Sequence, residues 1–254
     1  MMSKVQQVLD KILEAFRTNK IPKAIAITQF PLFEVPMNKW SFLNRLICYI
    51  QGSEDFRGFR QWQEVYRFVK KGEKATFILV PLMKKEEKED ETAKLYGFKG
   101  SPVFSVGQTD GKELDYQQLI LPELPLLEKA RSWGLKVIPI GGNKEMYGYF
   151  SQSRNEIGLA TNEERVLFHE LSHYSHSQVI KGLKGGQDPW QEIVAELSAL
   201  ALCHLVGKTA DSQLGNSYEY IEYYAGKLGI TPETASLKVL NEVNLVLQFI
   251  LKED

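Results

Sequence analysis

A chain of 254 residues, 43% hydrophobic and 25% charged, has room for one large domain or two ordinary ones and is too apolar for large-scale disorder. No stretch approaches the roughly 18 uninterrupted apolar residues of a membrane span, and the first 20 residues are polar and amphipathic rather than signal-like, so no membrane partner and a cytoplasmic location are expected. The net charge of −1 hides an imbalance: residues 1–75 carry 13 Lys and Arg against 7 Asp and Glu, whereas residues 126–254 carry 12 against 16.

Ser3 to Thr18 places Val5, Val8, Leu9, Ile12, Leu13 and Phe16 at helical spacing. Met37 to Gln51 repeats the pattern through Trp40, Phe42, Leu43, Leu46 and Ile47, and Pro22, Pro31 and Pro36 predict an extended connection between the two helices. After Gly52 short apolar runs at 75–81, 95–98 and 102–106 alternate with glycines and charged turns, the pattern of an antiparallel sheet, with 84–91 (KKEEKEDE) as a solvated hairpin loop. In the same region Arg57, Arg60, Arg67, Lys70, Lys71 and Lys74 interleave with Phe56, Phe59, Trp62, Tyr66 and Phe68. That mixture suits charge neutralisation and base stacking on single-stranded nucleic acid, or equally a basic face over a packed aromatic core.

From Pro122 the text becomes helical again: a helix to Trp133, a strand at 135–140, a break at Gly141-Gly142, strands at 147–150 and 156–159, then a helix from Thr161 to Ser177 with Thr161 and Glu164 as a capping box. A second helix opens at Asp188-Pro189 with Gln191 completing its box, and two more run over about 211–227 and 232–251. The fold class is therefore α+β, with a boundary between 111 and 125. Cys48 and Cys203 lie far apart in apolar segments and are expected as reduced core thiols.

Within the helix beginning at Thr161, His169-Glu170-Leu171-Ser172-His173 spells His-Glu-x-x-His. Residues four apart share one helix face, so His169 and His173 can converge on one ion while Glu170 faces the open position as general base. A catalytic zinc takes three protein ligands. Glu192 and Glu196, also four apart on an apolar helix, can supply the third ligand and an acceptor for the second ring N–H of a ligand histidine. His176 competes weakly, since a third ligand from the same helix crowds the ion, and His204 reads as a core residue.

The order of these segments is similar to the plasmid antirestriction proteins of the ArdC type, which join an N-terminal single-stranded-DNA-binding domain to a C-terminal zincin-like metallopeptidase domain. The likeness rests on Phe59-Arg60-Gln61-Trp62, on 69–75 (VKKGEKA), on Val103-Phe104 with Gly107-Gln108-Thr109, on 168–173 (FHELSH), on 192–197 (EIVAEL) and on 218–228. The family's Tyr-rich start before its DNA-binding helix is replaced here by Asn38-Lys39-Trp40. The resemblance implies a helix-plus-antiparallel-sheet module over 1–125 that binds single strands through Arg57, Arg60, Trp62, Arg67, Lys70, Lys71 and Lys74. It implies a metallopeptidase domain of small sheet plus helices over 126–254, gluzincin-like, with Zn2+ on His169, His173 and Glu192, Glu170 as catalytic base and Glu196 supporting a ligand histidine. The expected function is a zinc metalloendopeptidase acting on a protein or peptide substrate and coupled to single-stranded DNA, in mobile-element or antirestriction biology. The alternative is a non-catalytic DNA-protection protein whose metal domain is a scaffold. Only activity separates the two, and the intact Glu170 argues for chemistry, because a scaffold needs ligands but no base.

Overall fold

The computed structural model describes residues 3–18, 20–29, 31, 33–84, 94–117, 126–140, 147–161, 163–181, 183, 186–207 and 211–252. The chain divides into two compact units, one of residues 1–15 with 30–120 and one of 16–29 with 121–254. The expected loop at 84–91 and the Gly141-Gly142 break fall largely or wholly outside the described residues.

In the first unit α1 (Lys4–Arg17) contributes Val8 and Ile12 to the core, and α3 (Phe42–Tyr49) contributes Leu46 and Ile47. The single helix expected over 37–51 is divided: a 3-10 turn spans Pro36–Lys39, and α3 starts afresh because the Ser41 side chain accepts from Asn44 N at 3.4 Å. The sheet has strands β1 (Phe56–Arg57), β3 (Thr76–Lys84) and β4 (Lys94–Ser105) in the order β1-β4-β3, all antiparallel. Buried Asn44 satisfies both backbone groups of Leu79 on β3, donating to its carbonyl at 2.9 Å and accepting from its amide at 2.8 Å. A side chain thus stands in for a missing strand at that edge. Between β1 and β3 lie α4 (Phe59–Glu64) and β2 (Arg67–Val69), and β2 pairs antiparallel with β5 (Thr109–Gly111) as a separate ribbon. Gly111 is obligatory there, with φ +135 and a Cβ that would collide with the Tyr66 carbonyl.

The second unit begins with α2 (Ile21–Gln29), where an extended link was expected. Pro22 sits in the first turn, where the amide it lacks would have no intrahelical partner, and Ile21, Ala24 and Ile25 are buried. The helix packs on α7 (Pro189–Leu205), which is why residues 16–29 join the C-terminal unit rather than the N-terminal module that the sequence suggests. After α5 (Leu126–Ser132), β6 (Lys136–Pro139), β7 (Gly148–Ser151) and β8 (Glu156–Leu159) form a sheet of order β6-β8-β7, with β6 parallel and β7 antiparallel to the central β8. The metal-motif helix α6 (Glu164–Val179) packs against β7 and β8 and pairs with α7.

Helix α6 starts at Glu164 without a side-chain cap; Thr161 Oγ1 instead accepts from Glu163 N at 3.2 Å, so the expected Thr161 box does not form. Helix α7 is capped as expected, with Asp188 accepting from Trp190 N and Gln191 N and Pro189 at the first position. From Ile193 to Cys203 every residue of α7 is buried, enclosed by α2, α6, α8 (Asp211–Lys227) and α9 (Pro232–Leu251). An all-round apolar helix needs such enclosure. Fully burying Leu197 and Leu202 stabilises the unit by roughly 1.5–3 kcal/mol each. Cys48 and Cys203 are free and buried. No helix among the described residues is long and apolar enough to cross a membrane.

Candidate metal centre and nucleic-acid interface

Two stripes of residues four apart face each other across α6 and α7: Arg165, His169 and His173 on one helix, Glu192 and Glu196 on the other. The helices run antiparallel, so the stripes match in reverse order. Arg165 Nη2 meets Glu196 Oε1 at 2.5 Å, His169 Nδ1 lies 3.3 Å from Glu196 Oε2, and Glu192 Oε2 lies 3.4 Å from His169 Nε2 and 3.7 Å from His173 Nε2. The two Nε2 atoms are 3.1 Å apart. One ligand atom from each of His169, His173 and Glu192 falls within 4.8 Å of the others.

This donor set fits a metal ion on chemical grounds. If His169 donates its Nδ1 hydrogen to Glu196, its Nε2 presents a lone pair to a second imidazole nitrogen and a carboxylate oxygen. Three acceptors that converge repel one another unless a proton or a cation lies among them. The carboxylates of Glu170, Glu192 and Glu196 are all buried, and buried negative charge demands compensation. Burial alone would lower the His169 pKa, yet hydrogen bonds to Glu192 and Glu196 outweigh it and hold the value up at about 10. Burial alone would raise the Glu192 carboxyl, yet its contacts with His169 and His173, and the Tyr220 hydroxyl, pull it below its ordinary range. Such a field favours a divalent cation.

Glu170 occupies a separate place on α6. Its carboxyl is pushed up by burial, with the imidazoles opposing, and it accepts a hydrogen bond from the Phe150 amide of β7. Strand β7 is the sheet edge: Ala160 N donates to Tyr147 O at 2.8 Å, and the register pairs Tyr149 with Gly158 and Ser151 with Glu156. Alternation along an antiparallel ladder therefore turns the backbone groups of Gly148 and Phe150 outward, and the Phe150 amide is the one that reaches Glu170. At Gly148 a Cβ would stand 2.7 Å from Val166 Cγ1 and 3.1 Å from Glu170 Oε1, so only glycine lets the strand lie this close to the helix.

Sequence reasoning missed Arg165 and the choice of Tyr220 among many tyrosines. Arg165 lies four residues before His169, a spacing that could have flagged it. Tyr220 donates to Glu192 Oε2 at 2.6 Å, and its own phenol is pushed above its ordinary range by burial and by the Glu192 charge. The other two histidines are elsewhere: His176 Nε2 lies 2.8 Å from Glu242 Oε2, and His204 is half-buried on α7.

The basic and aromatic residues of the first unit divide into two groups. Trp62 is 0% exposed and donates from Nε1 to the Phe104 carbonyl at 3.0 Å, and the Arg57 guanidinium lies over its ring at 4.8 Å while pairing with Asp55 at 2.8 Å. Trp62 and Arg57 are thus core, not nucleic-acid contacts, because tertiary packing on β4 turns that face of α4 inward. Arg67 is also committed, donating to Thr109 Oγ1, Thr109 O and Lys112 O to clamp the β2–β5 ribbon. Arg60, Lys70, Lys71 and Lys74 are exposed, and so are the rings of Phe59 (51%), Tyr66 (69%) and Phe68 (57%). Tyr66 has φ 58, a left-handed conformation rare for a bulky side chain, and it joins α4 to β2.

Residues 2–117 match the family described as the N-terminal domain of anti-restriction factor ArdC. No curated protein matches the chain. Two crystal structures of the antirestriction ArdC protein from plasmid R388 are similar over nearly the whole length. The Mn(II)-bound form has a TM-score of 0.61 at 18% identity, covering 98% of each chain. The metal-free form has a TM-score of 0.57 at 17% identity, covering 96% of this chain and 97% of that one. Residues 2–117 thus form an ArdC-type N-terminal domain, and the chain as a whole has the α+β fold of the R388 protein.

Proposed function

We propose that the chain is a metal-dependent peptidase coupled to a single-stranded-DNA-binding module and that it serves in antirestriction. The convergence of His169, His173 and Glu192, with Glu170 beside them, carries the hydrolytic half of this reading. Two imidazoles and one carboxylate are the donor set of many zinc hydrolases, so zinc is the resident ion proposed; the R388 protein has been crystallised with Mn(II). A divalent cation supplies Lewis acidity there and lowers the pKa of water towards neutrality. The residues of the chain do the rest. Glu196, held by Arg165, orients the His169 ring. Glu170, aimed by the Phe150 amide and raised in pKa by burial, accepts the proton of the attacking water near neutral pH. The outward backbone groups of β7 that Glu170 does not take, those of Gly148 and the Phe150 carbonyl, offer an edge on which an extended peptide can add as a further strand.

The ArdC-type domain carries the DNA half, supported by exposed Phe59, Tyr66 and Phe68 beside exposed Arg60, Lys70, Lys71 and Lys74. Rings for stacking and cations for phosphates bind single strands with little sequence preference. A titration of the whole chain with labelled oligonucleotides across a range of salt tests this. The expectation is preference for single strands over duplex, affinity falling as salt rises, and a slope of log K against log salt reduced by about 0.7 in Lys71→Ala. Binding that ignores salt, or an unchanged slope in the variant, contradicts the assignment. For the hydrolytic half, cleavage of an unfolded protein that stops on chelation and returns with added zinc is the expected result; cleavage indifferent to chelator contradicts it.

A further inference from the structure

The metal centre draws on a third helix that the His-Glu-x-x-His motif does not include. From α8, the Tyr220 hydroxyl donates at 2.6 Å to Glu192 Oε2, the same oxygen that faces both imidazole Nε2 atoms. Its ring stands edge-on to His169, with centroids 5.7 Å apart at 87°. Behind it Tyr224 packs at 4.9 Å and Tyr223 at 5.1 Å from Tyr224, with the Lys227 ammonium over both of these rings. A glutamate has three torsions to fix before its oxygen can serve as a ligand, whereas a tyrosine has two and this one packs against the rings of His169 and Tyr224.

We propose that Tyr220 is a positioning residue of the metal centre, holding the Glu192 carboxylate towards His169 and His173 so that α8 completes the site without supplying a ligand. The proposal rests on the metal-centre reading above. It makes the centre a three-helix construction: α6 provides the imidazoles, α7 the carboxylate and α8 its alignment. The two supports act on different ligands, Arg165 through Glu196 on His169 and Tyr220 on Glu192.

Tyr220→Phe removes one oxygen and keeps the ring. Co(II) is the probe, because its affinity can be measured by titration and its visible spectrum reports the ligand geometry at saturation. Loss of a group that orients a metal ligand typically weakens binding 10–100-fold, and that is the expected change, together with an altered Co(II) spectrum at saturation. A merely structural loosening of α8 would leave the saturated spectrum as it is. If the parent chain binds Co(II) and the variant binds it as tightly with the same spectrum, the role of Tyr220 is overturned and the centre stands. If the parent chain binds no Co(II), the centre itself is overturned, and Tyr220 with it.

Discussion

Glu170→Gln is expected to leave the metal bound and to slow hydrolysis by ~10²–10⁴. The amide is nearly isosteric with the carboxylate, so the close approach of Gly148 and Val166 is preserved and the ligands on the same helix are undisturbed. What is lost is the ability to take a proton. The surroundings of Glu170 favour that proton transfer, since burial raises the carboxyl pKa and the Phe150 amide fixes where one oxygen points. Initial rates on an unfolded protein substrate, with metal content measured on the same samples, check this. Equal rates in parent and variant contradict a general-base role, and loss of metal in the variant contradicts the separation of base from ligands.

Trp62→Ala is expected to cost about 3–5 kcal/mol of stability in the N-terminal unit, the range for deleting a large buried aromatic. The ring is wholly enclosed, its Nε1 satisfies the Phe104 carbonyl, and it lies under the Arg57 guanidinium, so truncation leaves a cavity, an unpaired carbonyl and a buried cation short of a neighbour. Phe68→Ala, at a ring 57% exposed, should change stability by no more than about 0.5 kcal/mol. If bases stack on that ring, the same change costs roughly 1–3 kcal/mol of oligonucleotide binding. Urea denaturation and oligonucleotide titration of the two variants separate the roles. A Trp62→Ala chain as stable as the parent contradicts the packing described, and a Phe68→Ala chain that binds like the parent removes Phe68 from the interface.

These two residues show where sequence reading succeeds and stops. The metal motif was legible because its geometry is local: two histidines four apart on a helix share a face whatever surrounds them, and the same holds for Glu192 and Glu196. The order of α6, α7, α8 and α9 was legible for the same reason, through apolar spacing and the Asp188-Pro189 start. Trp62 was not. Helix α4 has six residues, too few for a periodic pattern to say which face is inward, and the partner that decides it is Phe104, 42 residues away. Arg57 has its partner two residues off in Asp55, a pairing that an alternating strand pattern could have exposed. Pro22 misled because proline forbids helix interiors but not first turns. Tyr220 was one tyrosine among many, and only the fold of α8 back onto α7 selects it.

His169, His173 and Glu192 are expected to share one metal ion. Crystals of the chain grown with Zn(II) or Mn(II), measured at the absorption edge of the metal, test it most directly. One anomalous peak per chain is expected, within coordination distance of His169 Nε2, His173 Nε2 and Glu192 Oε2, with Tyr220 still bonded to Glu192 and Glu196 still beside His169 Nδ1. A peak bound by other residues, or a metal-soaked crystal with no peak between α6 and α7, would contradict it.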